Sequence, residues 1–593
     1  MKKLIAALAA LSILLTGCAQ KPTTGDETKT PAGEEILTAT DGEMFTDRDR
    51  TATIDESAVA VTLTGSSAEC SSDEVEIKGS TITVKGGGTY AFSGSLSGQI
   101  VVDAEGQKPR LIFNGASVTN EMSAPLYIKE ADKVVVTLAG ENTLTAGDTF
   151  TTDGETNIDG AVFSKQDLTF NGEGSLTVSS PAGHGIVCKD DLVFTGGSYD
   201  ITCASHGLDA NDSVRISAAT LTVAAGKDGI HAENSDDTSL GFIYISGGTF
   251  SLTAEGDGIS AGSTLQIEDG EFDLTCGGGS ENGEKQASDS WGGFGGGMGG
   301  GMDRPGGGMG GGMRPTAATT TTADDSSTSM KGIKSGADLQ ISGGTFTINA
   351  ADDGLHSNAS MAIRGGDITI ATGDDGLHAE ETLEVSAGKI TVSESYEGLE
   401  ALDIIVSGGD ITLTASDDGL NAAGGTDESG TTGGRDGMFG GGMGGPGGMS
   451  AGNGSIVISG GTLNITASGD GIDANGTLEI TGGYTTVCGP TQGDTATLDY
   501  DTSAVISGGT FIGTGASGMA QTFSDSKQGL ISVSVGNQSA GTTVRLLDQA
   551  GNTLAEHTPA LSYAVVIIST PEMKSGETYT VYVGENSAEM KAT

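Results

Sequence analysis

The sequence predicts an all-β protein, a parallel β-helix of about 22 residues per coil with a small C-terminal antiparallel β cap. Three observations carry this. Turn glycines fall at Gly332, Gly354, Gly376, Gly398 and Gly419, in steps of 22, 22, 22 and 21 residues, and a fixed period in this range marks stacked repeats. Within a repeat, Phe346, Ile348 and Ala350 alternate with Thr345, Thr347 and Asn349, the period of a strand with one buried face. No repeat holds a long window of apolar residues spaced by 3.6, so helices are not its building block. A single unit cannot bury its apolar side, and stacking supplies the missing partner. Glycines at the corners are expected to take positive φ. Leucine-rich repeats share the period but need a leucine frame with Asn or Cys that is missing here, and nonapeptide calcium rolls place Asp-Gly far more often than once per coil.

In chain order, residues 1–18 (MKKLIAALAALSILLTGC) combine two lysines, a short apolar run and small residues before Cys18, the plan of a secretion signal rather than a membrane span. Leu15-Thr16-Gly17-Cys18 resembles the bacterial lipobox, which implies cleavage before Cys18 and lipidation of its thiol. An ordinary signal peptide that happens to end in Cys is the alternative. Residues 19–35, rich in Thr, Pro and Glu, suit a flexible tether. Residues 36–150 carry strand signals without the tight period and read as irregular opening coils that cap the solenoid. The regular helix spans 151–520, with Gly/Met-rich inserts at 277–330 and 424–454 whose composition cannot bury enough apolar area to offset ordering entropy. Both inserts leave from the same edge of the solenoid; they could flank a binding surface or be tolerated insertions. From 521 to 593 the period is gone, and runs such as YAVVIIS and YTVYVG suggest an antiparallel cap or sandwich.

The net charge is −51, which excludes nucleic acid as a partner, since phosphates need a basic surface. It also opposes anionic polymers unless a cation bridges. Cys18 apart, five of the six cysteines remain, an odd number that does not suggest a disulfide framework. Cys203 and Cys276 occupy the slot held elsewhere by Ala254, Ala350 and Ala415, so free buried thiols are expected.

The residue before the turn glycine is acidic at Asp159, Asp228, Asp257, Asp353, Asp375, Glu397, Asp418 and Asp470, with His184, His206 and Lys331 in the other places. Stacking sets Asp353, Asp375, Glu397 and Asp418 in one column, with Asp352, Asp374 and Asp417 beside it. Like charges ~5 Å apart repel by roughly 3 kcal/mol at an effective dielectric of 20. The column should therefore recruit a cation or retain protons, and hard oxygen ligands suit Ca²⁺. Asp228 and Asp257 extend the candidate metal set. The competing reading is that Asp-Gly is simply good turn chemistry on a solvated edge. His356 and His378, two residues past a turn glycine, sit in adjacent coils and point outward. Glu400 and Asn421 hold the same slot in the next coils, and these four are candidate ligand-binding residues. A transition-metal site at the two histidines competes with ordinary packing.

The repeats ISGGTFTINAADDGLHS, RGGDITIATGDDGLHA and SGGDITLTASDDGLNA, with SAPLYIKEADKVVVTLAGENTLT upstream, resemble a family of bacterial carbohydrate-binding domain proteins. That resemblance implies a right-handed β-helix similar to pectate lyases, bound calcium, and cellulose or polygalacturonate as ligand. It also implies calcium ligands at Asp352, Asp353, Asp374, Asp375, Asp417 and Asp418. Glu397 stands where an Asp would be expected and Tyr396 replaces its neighbour, a departure from the pattern at that coil.

The expected protein is thus extracytoplasmic, lipid-anchored to the bacterial membrane through Cys18, and binds polysaccharide with calcium rather than cleaving it. Aromatics are only 4% and the sole Trp291 lies in an insert, so stacking on Trp platforms is not the mode. A calcium-dependent uronan lyase is the alternative enzyme, but Lys331, Lys334, Arg364 and Lys389 form no recognisable base constellation. A structural or adhesive surface stalk is the third reading.

Overall fold

The computed structural model describes residues 39–54, 57–283, 329–423, 453–493 and 495–593. The signal segment with Cys18, the tether and most of both Gly/Met-rich inserts lie outside the described residues.

The alternation read from the repeats becomes three strands per coil, as in Leu355–Ser357, Met361–Ile363 and Asp367–Thr372. Each pairs in parallel with its equivalent one coil on, so the coils form three long parallel sheets. In the sheet of long strands, Phe250, Phe272, Phe346, Ile368, Ile390 and Ile411 are in register. The sheet that follows the turn aligns Leu355, Leu377, Leu399 and Leu420. The third aligns Leu339, Met361, Leu383 and Ile404. The long strand Thr345–Ala350 alternates exposed and buried residues without exception. Their inward side chains stack on like residues, and the rings of Phe250, Phe272 and Phe346 lie parallel with centroids 4.5 Å apart. Such contacts are individually small and collectively large. Cys276 pairs with Ala254 and Ala350 in that stack. Cys188, Cys203, Cys276 and Cys488 are buried free thiols, and Cys70 is a half-buried one.

Antiparallel pairing is added at both ends of the solenoid, which covers the terminal coils. At the start, the hairpin Val75–Lys78/Thr81–Val84 accompanies the first parallel pair, Val59–Gly65 with Thr89–Ser97. At the far end, Tyr563–Ser569 runs antiparallel to Thr510–Gly515 and to Leu530–Gln538. A four-stranded antiparallel sheet between Val544 and Lys591 follows, its Val544, Leu546, Tyr579 and Val581 sharing one core with Ile512, Ile531, Val566 and Ile568 of the capping strands.

Residues 39–51 depart from the expected opening coils. They form two four-residue helices, Asp41–Met44 and Asp47–Arg50, in a strap laid along the solenoid flank. Buried Asp49 lies 2.6 Å from Lys133 Nζ and accepts from Thr169 at 2.6 Å. Phe45 packs on Tyr244 with centroids 6.0 Å apart, and Ala39 N–H donates to Gln266 at 2.8 Å. Its hold rests on single anchors rather than a periodic face, so no hydrophobic pattern announces it.

The corner glycines divide into two kinds, which corrects the expectation of positive φ at all of them. Gly344, Gly366, Gly388 and Gly409 do take φ between 90° and 101°. The turn glycines of the 22-residue period do not; close approach requires them. A Cβ on Gly376 would lie 2.6 Å from the carbonyl oxygen of Gly398, and one on Gly354 2.7 Å from that of Gly376. Gly376→Ala should therefore lower stability by about 3 kcal/mol, because the obstacle is backbone. Gly42→Ala, whose Cβ would meet nothing within 4 Å, should leave thermal denaturation unchanged or slightly improved. Equal melting of the two variants would contradict the close-approach argument.

A buried stripe of ionisable residues as candidate site

The turn glycine N–H donates to the carbonyl of the ladder residue one coil on. Gly332 bonds Asp353, Gly354 bonds Asp375 and Gly376 bonds Glu397, each at 2.9 Å, and Gly398 bonds Asp418 at 3.0 Å. The ladder side chains have a second structural task that sequence reasoning missed. The carboxylate of one coil accepts the backbone N–H of the ladder residue in the next: Asp228 from Asp257 at 2.8 Å, Asp257 from Lys331 at 2.8 Å, Asp353 from Asp375 at 3.1 Å, Asp375 from Glu397 at 3.1 Å, and Asp418 from Asp470 at 2.5 Å. One oxygen of each group is thereby committed to satisfying a donor that would otherwise be stranded. The second oxygen of Asp353 meets Lys331 and His356, and that of Asp375 meets His378.

Beside the ladder runs a second column, on the outward face of the sheet after the turn. It holds Asp209, His231, Ser260, Lys334, His356, His378, Glu400, Asn421, Asp473 and Asp499 in register. His356 and His378 face away from the solenoid interior, as expected, but are only 4% and 2% exposed. The acidic edge is likewise buried rather than solvated: Asp352, Asp353, Asp374, Asp375, Glu397, Glu400 and Asn421 are all buried, while Asp417 is half-buried.

Along this stripe the electrostatic balance changes. Lys331 Nζ, itself buried, lies 2.6 Å from Asp353 and 3.2 Å from Asp352. His356 Nδ1 is 2.8 Å from the same Asp353 oxygen. Burial opposes ionisation of Asp353, but Lys331 and then His356 hold its carboxyl well below the usual range; burial and Lys331 push His356 down. At Asp352 and Asp353 a protein ammonium thus already occupies the place of a cation. One coil on, His378 Nδ1 sits 3.4 Å from Asp375 and 3.2 Å from Glu400. Burial disfavours its charge, yet these carboxylates raise it well above the ordinary histidine value.

Beyond His378 the compensation stops. Among the described residues no Lys, Arg or His forms an ion pair with Glu397, Asp418, Asp470 or Asp473. Burial, then Glu400, Asp375 and Asp418, drive Glu397 well above the usual carboxylate range. Burial, then Asp470, Asp417 and Asp473, do the same to Asp418. Burial raises Asp470 to about 7, and burial with Asp499 and Asp501 raises Asp473 to about 6. Glu397 Oε1 accepts from Asn421 at 2.9 Å, while buried Oε2 has no hydrogen-bond partner among the described residues. This all-oxygen donor set with an orphaned buried carboxylate oxygen fits a hard divalent cation. Asp470 and Asp473, one carrying the ladder slot and one three residues on, belong to the candidate site. Asp228 and Asp257 lie elsewhere on the stripe, with Asp257 accepting from Ser329 at 2.7 Å and Lys334 3.9 Å away.

The basic residues weighed for catalysis do not converge. Lys331 is in the turn, Lys334 on the adjoining sheet, Arg364 bonds Gln340 at 2.8 Å, and exposed Lys389 pairs with Asp367 across the long-strand sheet at 3.4 Å.

A family model described as carbohydrate-binding domain-containing protein matches residues 78–376 and 375–543. A carbohydrate-binding domain-containing protein of Acetivibrio thermocellus is 37% identical over 120 residues, 19% of this chain. The match spans 42% of that relative's length. Among solved structures, the gadolinium derivative of the polysaccharide lyase-like protein from C. thermocellum is 30% identical, covering 37% of this chain and 92% of that one, with a TM-score of 0.35.

The raised carboxylates give stability a definite pH dependence. A group whose folded pKa lies above its unfolded value stabilises the fold at low pH and loses that contribution as pH rises through the folded value. For Asp470 and Asp473 the window runs from about 4, the ordinary aspartate value, to about 7. In chelator, the protein should melt higher at pH 5 than at pH 8, by on the order of 2 kcal/mol. Asp470→Asn should flatten the slope. A protein that is more stable at pH 8, with or without this substitution, would contradict the assignment.

Proposed function

The chain belongs to the family of carbohydrate-binding domain-containing proteins, and from that premise we propose a surface protein that binds acidic polysaccharide in a calcium-assisted way. It is held to the bacterial membrane through lipidated Cys18, and it binds without cleaving. The observation that carries this reading is the uncompensated carboxylate group at Glu397, Asp417, Asp418, Asp470 and Asp473, set in a chain of net charge −51. A uronate polymer cannot approach such a surface unless its charge is bridged. Calcium supplies that bridge, as a hard cation taking oxygen ligands from protein and sugar together.

The chain's own residues prepare the place. The backbone N–H of Asp470 holds one oxygen of Asp418 and Asn421 holds one oxygen of Glu397, so the carboxylates are oriented before any ligand arrives. Lys331 pairs with Asp352 and Asp353, which makes the demand for a cation greater in the far part of the stripe. Neutral chains such as cellulose have a separate surface in the long-strand sheet. There the hydroxyls of exposed Thr347, Thr369 and Thr412 and half-buried Thr391 stand in register, one per coil. The scattered placement of Lys331, Lys334, Arg364 and Lys389 supports binding over lyase chemistry, which needs a base beside the metal.

Polygalacturonate should be retained by the immobilised full-length protein in calcium and released by chelator. Asp418→Asn should weaken retention at least ~10-fold while leaving cellulose binding unchanged. No unsaturated uronate product should absorb in the ultraviolet. Retention indifferent to chelator would refute the calcium bridge, and product formation would make the protein a lyase. Separately, Cys18→Ser should move the protein from the membrane fraction to the soluble one; an unmodified thiol at Cys18 in the mature wild type would remove the anchor.

A further inference from the structure

Where the ladder's carboxylates give way to His184 and His206, the stripe changes its donor chemistry. The rings of His184, His206 and His231 stack with centroids 5.2 and 4.4 Å apart. Asp228 Oδ2 lies 3.2 Å from His206 Nδ1, and Asp209 Oδ1 lies 2.9 Å from His231 Nδ1. We propose that His206, Asp228 and His231 form a second metal site, selective for a borderline transition metal such as Zn²⁺ over calcium, with Asp209 as positioning residue.

Asp228 meets His206 Nδ1 twice, with its backbone N–H at 3.3 Å and its Oδ2 at 3.2 Å. An imidazole nitrogen and a carboxylate oxygen set this close can share one metal ion. Asp228 is fixed for the task, because its other oxygen accepts the N–H of Asp257 at 2.8 Å. The candidate ligand atoms of His206, Asp228 and His231 all lie within 4.8 Å of one another. The two rings are within 16° of parallel, so gathering both nitrogens about one ion takes rotation of a side chain, not of the backbone. All three residues are half-buried, which leaves room for that rotation and for water to complete the coordination. Two imidazole nitrogens and one carboxylate suit Zn²⁺, Co²⁺ or Ni²⁺, whereas calcium prefers oxygen throughout. Asp209, against His231, orients the ring as carboxylates do behind metal-bound histidines. Buried His184 Nδ1 has no hydrogen-bond partner among the described residues and adjoins the same stack.

The test uses full-length protein stripped with chelator and returned to excess Ca²⁺, which occupies oxygen-only sites. Co²⁺ is then titrated and the visible d–d absorption followed. The expected result is a saturable spectrum at one equivalent, displaced by Zn²⁺, weakened at least ~10-fold in His206→Gln and His231→Gln and unchanged in His356→Gln. Metal-free melting curves of the variants confirm that they fold. A second reading needs no variant: Zn²⁺ should protect His206 and His231 of the wild type from diethyl pyrocarbonate, scored by peptide mass. Absence of the spectrum in calcium, or its persistence in both variants, or its loss in His356→Gln, overturns the site, as does equal modification of His206 and His231 with and without Zn²⁺.

Discussion

Parallel stacking of near-identical coils places every side chain on its own equivalent, one strand spacing away. For the interior this is gain without conflict, because Phe on Phe and Leu on Leu pack in register. For ionisable residues it imposes a problem on every coil, since the spacing that aligns backbone hydrogen bonds also aligns like charges. The structure answers differently at successive levels of one stripe. Lys331 pairs with Asp352 and Asp353, His378 lies between Asp375 and Glu400, and beyond them carboxylates face carboxylates. Negative charge without a basic partner thus grows from Asp353 towards Asp473.

The ladder Asp carries a structural role that is compatible with the proposed metal-binding one. One oxygen of Asp353, Asp375 or Asp418 satisfies the next coil's backbone N–H. This explains why Asp recurs at the turn independently of any ion, and it keeps the second oxygen in a fixed place. The turn-chemistry and metal readings of Asp-Gly are therefore not exclusive. The first supplies the rigidity that the second needs.

The fold was largely legible because solenoid physics is written as a period. Steps of 22 residues, the alternation in Thr345–Ala350 and the Ala/Cys slot at Cys276 each translate directly into register. The site was legible in part. The ladder could be read from the residue before the turn glycine, but burial of His356 and His378 and the reach of Lys331 depend on side-chain geometry that a period does not encode. Asp473 falls one residue beyond the Asp-Gly-Ile run, and its weight appears only when the sheet brings it beside Asp499. The strap at residues 39–51 was not legible, since Asp49 and Phe45 each find a partner more than a hundred residues away.

The most direct measurement is anomalous diffraction from crystals of the full-length protein grown in calcium. The account predicts an anomalous peak among Glu397, Asp417, Asp418, Asp470 and Asp473, and none at Asp352 and Asp353, where Lys331 already sits. A peak beside Asp353 with Lys331 displaced, or no peak anywhere along the stripe, would contradict it.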